Sequence, residues 1–131
     1  MVRALIEICC DTDSALGLGA EARGIRHKRI TIHDRFDTPA DVAVAQAFIA
    51  QQRTDVFVAL PCTAWCSWNH LNAARHGRAF RARLAWRRRC SLRMAQSAED
   101  CCAAALAGGG DVYFEWPRYC AGWAQPQITY V

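Results

Sequence analysis

The amino-acid sequence predicts a three-layer α/β domain with a mainly parallel sheet of about four strands. Short apolar runs alternate along the chain with longer segments of helical periodicity, which is the pattern of parallel strands joined by crossover helices. Two of the runs, Val56–Leu60 and Asp111–Phe114, are continuous, as in strands that are covered on both faces. Residues 1–131 are enough for one such domain, and no repeat or linker divides them.

The first part of the chain predicts one strand-turn-helix unit and a second strand. Arg3–Cys9 is apolar except for Glu7 and predicts a strand. Cys10–Ser14 follows as a turn rich in residues that cap helix N-termini, and Ala15–Ala22 predicts a short helix. β-branched residues then indicate a second strand between about residues 26 and 33.

The next helix has a clear start signal. Thr38 is an N-cap residue, Pro39 suits the first helical position, and Asp41 can reach back to the cap. The helix is expected to end near Gln52, with one apolar face formed by Val42, Ala45, Phe48 and Ile49.

A long helical pattern follows the central strand and runs from about Arg78 to Ala107. A helix of that length would span about 45 Å, more than twice the length of a typical strand. We therefore expect its arginine-rich half to project or break away, near Ser91 or Ser97. Three glycines, Gly108–Gly110, close the helix before the last strand.

Composition is that of a folded globular protein, with 53 % hydrophobic and 21 % charged residues. No apolar run approaches the ~20 residues of a membrane span, and Glu7 interrupts the N-terminal run, which argues against a secretory signal. The eight cysteines lie inside apparent strands and helices. We therefore expect free thiols, an intracellular reducing compartment and no membrane partner.

Positive charge is concentrated in one segment. The formal net charge is +4, but Arg75–Arg93 contains eight arginines and no acidic residue. Such a segment predicts contact with nucleic acid, the alternative being a solvated helix face. The proposed contacts are Arg75, Arg78, Arg81, Arg87, Arg88 and Arg89. Three nearby tryptophans can stack on bases or pack in the core: Trp65, Trp68 and Trp86.

Two chemically active residues follow strand ends. Pro61 stops the central strand and puts Cys62 at its carboxyl end, where open α/β sheets bind their ligands. Glu115 ends the last strand in the same way. If the two strands are parallel and adjacent, both side chains emerge at one edge of the sheet. The alternatives are a buried thiol acting as a small hydrophobe and a carboxylate paired with an arginine.

The chain resembles the cytosine-C5 DNA methyltransferases in three features taken together. These are a strand ending in Pro61-Cys62, a basic helix, and a later strand ending in Phe114-Glu115. It also resembles methyltransferase-like segments of retroelement polyproteins. The resemblance implies a Rossmann-like fold, S-adenosylmethionine as cofactor, Cys62 as nucleophile and Glu115 as the acid that orients the base. It further suggests a set of cofactor contacts: Glu7, Asp11, Asp13, Ser14, Asp34 and Pro61.

The family's chemistry explains the need for a thiol and an acid. Carbon 5 of cytosine is a poor nucleophile, so a thiolate first adds to carbon 6 while a carboxyl group binds ring nitrogen 3 and the exocyclic amine. Carbon 5 then becomes enamine-like and can accept a methyl group. The target base must first leave its stack.

The chain also departs from the family pattern. The family follows its first strand with a Phe-x-Gly-x-Gly turn, whereas here side chains of Cys9–Ser14 occupy that space. Thr63 and Trp116-Pro117 replace the family's Gln and Asn-Val. The chain can therefore be a fragment, a degenerate domain, or one part of an assembly whose partner supplies target recognition. The alternative function is a non-catalytic nucleic-acid-binding module.

A metal site is not predicted. Cys62, Cys66 and His70 are spaced by four and would share one face of a helix, but Pro61 and the lack of a second close ligand pair fit poorly with a closed zinc site. Neither cysteine is followed by an arginine six residues later, and no phosphate-binding loop of the Gly-x-x-x-x-Gly-Lys type is present.

Overall fold

The fold is built on a four-stranded parallel sheet with the strand order β2-β1-β3-β4. This computed structural model describes residues 3–31 and 33–129. It confirms the predicted α/β fold, with a Rossmann-like arrangement of parallel strands. The strands are β1 (Ala4–Cys10), β2 (Arg26–Thr31), β3 (Thr54–Val58) and β4 (Val112–Phe114).

Helices cover both faces of the sheet, which gives the three layers. The helix α1 lies on one face, against β1 and β2, whereas α2 and α3 pack together on the opposite face. The bounds are α1 (Ala15–Ala22), α2 (Pro39–Ala50), α3 (Trp68–Ala107) and α4 (Pro126–Thr129), with short 3-10 turns at Thr63–Trp65 and Ala121–Ala124.

The strands β3 and β4 are parallel neighbours, as the prediction of a shared edge requires. Val56 pairs with Val112 and Val58 with Phe114. The backbone N–H of Glu115 donates to the carbonyl of Val58 at 2.8 Å, one step beyond β4. The carboxyl ends of both strands therefore reach the same edge of the sheet.

The main core lies between the sheet and the pair α2 and α3. Ile6, Ile8, Val56 and Val58 are fully buried there, against the small side chains of α3. The expectation that β3 and β4 are buried on both faces is wrong. Burial alternates along β3, and β4 is an edge strand whose Tyr113 is 53 % exposed, because α1 covers only the β1 and β2 side of the second face.

The expected break in the long helix near Ser91 or Ser97 is also wrong. The kink is at Gly77, whose φ of 70° and ψ of −151° are not helical, and the second arm of α3 continues through residues 78–107. Residues from both arms, including Asn69 and Arg81, line a common cavity of about 330 Å³. The first arm, residues 68–76, therefore folds back along the second as a helical hairpin.

The local helix signals are confirmed. The Ser14 hydroxyl caps α1 by accepting from the N–H of Gly17 at 3.3 Å. The Thr38 hydroxyl accepts from the N–H of Asp41 at 3.5 Å, and Pro39 opens α2. Gly108 is the C-cap of α3. The predicted second strand agrees up to Thr31, and Ile32 lies outside the described residues.

All eight cysteines lie in the described part of the chain and are free thiols. Within residues 3–31 and 33–129, no helix combines the length and the apolar character that crossing a membrane requires.

Candidate functional site

A cavity of about 470 Å³ lies at the carboxyl edge of the sheet. In this strand order β2 lies on one side of β1, and β3 and β4 lie on the other. The strand order therefore reverses at β1, and open α/β sheets bind ligands at the carboxyl ends of the strands at such a point. The cavity is lined there by Cys9 of β1, by Thr31 and Asp34 at the end of β2, and by Pro61 after β3. Trp86 of α3, which is 59 % exposed, forms part of the opposite wall.

Two carboxylates of this cavity are held in place. Asp34 Oδ2 accepts from the backbone N–H of Thr31 at 2.7 Å. Asp37 lies between two arginines, with Oδ1 3.2 Å from Arg35 Nε and Oδ2 3.6 Å from Arg93 Nη2. The hydrogen bond from Arg35 holds the pKa of Asp37 below its ordinary value. Acidic and basic groups therefore share the cavity wall.

Glu7 and Ser14 lie in a different place, inside a polar network beneath α1. Glu7 is 3 % exposed, and its Oε2 accepts from the Ser14 hydroxyl at 2.6 Å and lies 2.7 Å from Nε2 of His27. Arg29 Nε donates to the Ser14 oxygen at 3.1 Å. These contacts give a buried carboxylate oxygen of Glu7 partners from within the protein.

Of the predicted cofactor residues, only Asp34 and Pro61 line the cavity at the carboxyl edge. Asp11 and Asp13 are exposed in the turn before α1, where the Asp11 carbonyl accepts from the N–H of Ser14 at 3.3 Å.

Sequence reasoning missed Cys9 as a cavity residue. Its φ is 63°, a left-handed backbone conformation that residues other than glycine rarely adopt. At the same place the pairing register of β1 with β2 shifts, between Ile8 and Cys10. Burial raises the pKa of the Cys9 thiol to about 12, so it lines the cavity as a neutral group. The backbone at Cys9 thus has a conformation that is typical of glycine. The Cys9-Cys10 pair in the sequence did not indicate this conformation.

Cys62 lines a second, smaller cavity of about 190 Å³. Its neighbours there include Cys66, Pro117, Tyr119 and Cys120. Two consecutive residues therefore line different cavities: Pro61 lines the larger cavity and Cys62 lines the smaller one.

Glu115 emerges at the same edge as Cys62, as predicted, and its side chain is exposed. It is not among the residues lining either cavity, but it lies two residues before Pro117 of the smaller one. Trp116 follows directly, is buried, and donates its indole N–H to the carbonyl of Leu60 at 2.7 Å. This bond fixes the end of β4 against the segment that leads to Cys62.

The loop after Cys62 is held against α3 by two further contacts. The indole N–H of buried Trp65 donates to the Ser91 hydroxyl at 2.7 Å. Arg88 Nε donates to the carbonyl of Ala64 at 3.0 Å, and its guanidinium lies 5.1 Å from the centre of the Trp65 ring. Arg88, predicted to contact nucleic acid, is thus engaged within the protein, and Trp65 follows the core-packing alternative rather than base stacking.

The other predicted nucleic-acid contacts are exposed along both arms of α3: Arg75, Arg78, Arg81, Arg87 and Arg89. None of these five forms an ion pair with a carboxylate of the described residues. Trp68 and Trp86 are exposed nearby. A positive, partly aromatic surface therefore runs along the hairpin of α3.

The zinc alternative gains no support. His70 belongs to the first arm of α3 and lines the cavity between the two arms, apart from the cavity of Cys62 and Cys66. Among residues 3–31 and 33–129, no cluster of three or more His, Cys, Asp or Glu side chains is arranged to hold a metal ion.

Comparison of the chain with protein-family models, with curated proteins and with solved structures found no match. Function must therefore be inferred from the arrangement of the side chains themselves.

Proposed function

We propose that this chain is a methyltransferase-like domain that binds S-adenosylmethionine in the larger cavity and a cytosine base in the smaller one. One observation supports the proposal above others: Pro61 borders the first cavity and the next residue, Cys62, borders the second. A methyl donor and an acceptor base placed there would lie on either side of these two consecutive residues.

The larger cavity fits the cofactor in size and in chemistry. Its volume of about 470 Å³ is within the usual range for small-molecule sites, ~300–1,000 Å³. Asp34 lies after β2, where a carboxylate can accept from ribose hydroxyls. Met94 and Trp86 offer apolar surface for a purine ring. When bound, the cofactor would supply an electrophilic methyl group.

The smaller cavity suits a single flipped base. At about 190 Å³ it lies below the ~300 Å³ typical of drug-sized ligands, which favours one ring over a whole nucleotide. The Arg118 guanidinium lies 5.5 Å from the centre of the exposed Tyr119 ring beside it. This pair can hold the sugar and phosphate that follow a base into the cavity.

The residues have distinct roles in the proposed reaction. The Cys62 thiolate adds to carbon 6 of cytosine, and the electron pair of the ring double bond moves to carbon 5. Glu115 leaves the sheet two residues before Pro117 of the smaller cavity, and its exposed side chain would turn toward the base to hydrogen-bond ring nitrogen 3 and the exocyclic amine as carbon 5 takes the methyl group. Loss of the carbon 5 proton to a base then restores the double bond and expels Cys62.

Covalent trapping tests the reaction directly. An oligonucleotide containing 5-fluorocytosine cannot lose its fluorine as a cation, so with S-adenosylmethionine present we expect a stable adduct at Cys62, found by intact-mass and peptide mass spectrometry. Cys62→Ser should abolish the adduct. Cys66→Ser is the matched control, because Cys66 lines the same cavity and should be dispensable. An adduct that persists in Cys62→Ser refutes the assigned nucleophile.

Calorimetry with S-adenosylmethionine tests the larger cavity separately. Asp34→Ala should weaken binding, whereas Asp13→Ala, an equal change of charge in the exposed turn before α1, should leave it unchanged. Absence of binding heat at millimolar cofactor would refute the cofactor assignment.

A second candidate function, nucleic-acid binding without catalysis, is favoured by the unpaired arginines of α3. Arg81, Arg87 and Arg89 are exposed and have no ion-pair partner among the described carboxylates. Anionic phosphates would relieve their mutual repulsion.

Fluorescence anisotropy with labelled oligonucleotides, measured over a range of salt concentrations, tests this second candidate. Arg87→Glu should weaken binding and reduce the slope of log K against log salt by about 1, the value for one phosphate that is no longer neutralised. Arg23→Glu makes the same charge change on α1, away from α3, and should have little effect. Affinity that is insensitive to salt would contradict the candidate.

A further inference from the structure

Three of the eight cysteines converge on the smaller cavity. Cys62, Cys66 and Cys120 line it together, although 54 residues of sequence separate Cys66 from Cys120. The segment that carries Cys120 returns to the sheet edge after β4 and is fixed there, since Cys120 N–H donates to the Pro117 carbonyl at 3.0 Å. The fold thus brings free thiols from two distant segments to the wall of one cavity.

Their environments differ in a way that matters for reactivity. Cys62 is half-buried at the cavity wall, whereas Cys120 is 7 % exposed and its Sγ accepts from the N–H of Gly122 at 3.4 Å. Burial raises the pKa of the Cys120 thiol, and the nearby sulfurs of Cys62 and, to a smaller degree, Cys66 raise it further. Cys62 is therefore the more accessible of the two sulfurs.

We propose that Cys62 and Cys120 form an oxidation-sensitive pair that closes as a disulfide across the smaller cavity. Hydrogen peroxide is the oxidant class. The Cys62 thiolate attacks one peroxide oxygen, the O–O bond breaks, hydroxide leaves, and Cys62 becomes a sulfenic acid. The Cys120 sulfur then attacks the Cys62 sulfur, the S–O bond breaks, and water leaves. Two thiols and one peroxide thus give one disulfide and two waters.

The disulfide would have two consequences for the molecule. It would withdraw the Cys62 sulfur from any substrate, and it would join the loop after β3 to the segment after β4, closing the cavity that both segments line. The pairing itself does not rest on the proposed methyl transfer, because it requires only the two sulfurs and an oxidant.

Peptide mapping tests the pairing on the full chain. The protein is treated with hydrogen peroxide, remaining thiols are blocked with N-ethylmaleimide, and the chain is cleaved with trypsin without reductant. Cleavage after Arg53, Arg75 and Arg118 puts Cys62 in the peptide of residues 54–75 and Cys120 in the peptide of residues 119–131. We expect these two peptides linked, lighter by two hydrogen atoms than the sum of the reduced peptides, with fragmentation assigning the bond to Cys62.

Variants identify the partner and control for folding. Cys66→Ser should retain the link, whereas Cys120→Ser should lose it and leave Cys62 as a sulfinic acid or other unlinked product. Circular dichroism verifies that each variant is folded, and Cys62→Ser provides a second variant lacking the link. Two results would overturn the proposal. One is a disulfide that uses Cys66, and the other is oxidation of Cys62 without any disulfide in the chain that carries no substitution. Adduct formation with 5-fluorocytosine is measured in reductant, so its failure and the failure of the disulfide are separable.

Discussion

Replacing Ser91 with alanine tests the contact that holds the loop after Cys62 against α3. Ser91 accepts from the indole N–H of Trp65 at 2.7 Å, and both residues are buried. Without the hydroxyl the indole donor has no partner, which costs about 1–3 kcal/mol. Alanine is a better helix former than serine, which stabilises the folded state by about 0.5 kcal/mol. We therefore expect a loss of about 1.5 kcal/mol in the free energy of unfolding, or ~6 °C in Tm.

Urea unfolding followed by tryptophan fluorescence measures this loss, and Ser97→Ala is the matched control. Ser97 is buried on the same helix, but its hydroxyl donates to the Arg93 carbonyl within α3, so its removal leaves no donor unpaired. We expect Ser97→Ala to be neutral or slightly stabilising. In a Trp65→Phe background, Ser91→Ala should cost nothing, because the donor is already absent. Equal losses for the two serine variants, or an undiminished loss in that background, would refute the reasoning.

Three further predictions concern glycines and buried thiols. Gly17→Ala should destabilise the fold by about 1–3 kcal/mol in urea unfolding, because a Cβ there would overlap β2 side chains beneath α1. Gly19→Ala should be tolerated, because the nearest atom to its Cβ would be 3.4 Å away. Equal effects of the two substitutions would contradict the packing argument. Gly77→Ala should cost ~1–3 kcal/mol at φ 70° and ψ −151°, and an unchanged Tm would show that the hairpin does not need this conformation. Burial raises the pKa of Cys101 to about 12 and of Cys102 to about 11, from 9.0, so their thiols stabilise the fold fully below pH 9 and this contribution is lost as pH rises through the folded values. Between about pH 8 and pH 10 the two should lose ~3 kcal/mol together, and a Cys101→Ala, Cys102→Ala variant should show a drop that is smaller by that amount.

The fold could be predicted because its boundaries carry local chemical signals. Ser14, Thr38 and the glycines after α3 mark helix ends through side-chain and backbone effects that act within a few residues. The apolar runs mark the strands, and the helices between them require parallel pairing. These signals are sufficient for the element order and for the adjacent ends of β3 and β4.

The failures arise where distant residues decide the outcome. The helical pattern was recognised only from about Arg78, so neither the first arm of α3, residues 68–76, nor its junction with the second arm at Gly77 was predicted. Residues of the two arms meet at a common cavity, and Trp65 of the preceding turn bonds to Ser91 of the second arm, so the arrangement depends on residues that are far apart in the sequence. The polar network beneath α1 was not predicted either, because His27 lies 20 residues from Glu7 in the sequence.

The position of Cys62 is determined by two buried indoles that belong to different elements. Trp116 donates to the carbonyl of Leu60, two residues before Cys62, and Trp65, three residues after Cys62, donates to Ser91. Both backbone flanks are therefore fixed by satisfied hydrogen bonds in the core, while the Cys62 side chain itself remains at a cavity wall. Trp116 also follows Glu115 directly, so the same indole that anchors the segment before Cys62 sets where the Glu115 carboxylate leaves the sheet. The backbone positions of Cys62 and Glu115 are thus linked through one buried side chain, Trp116.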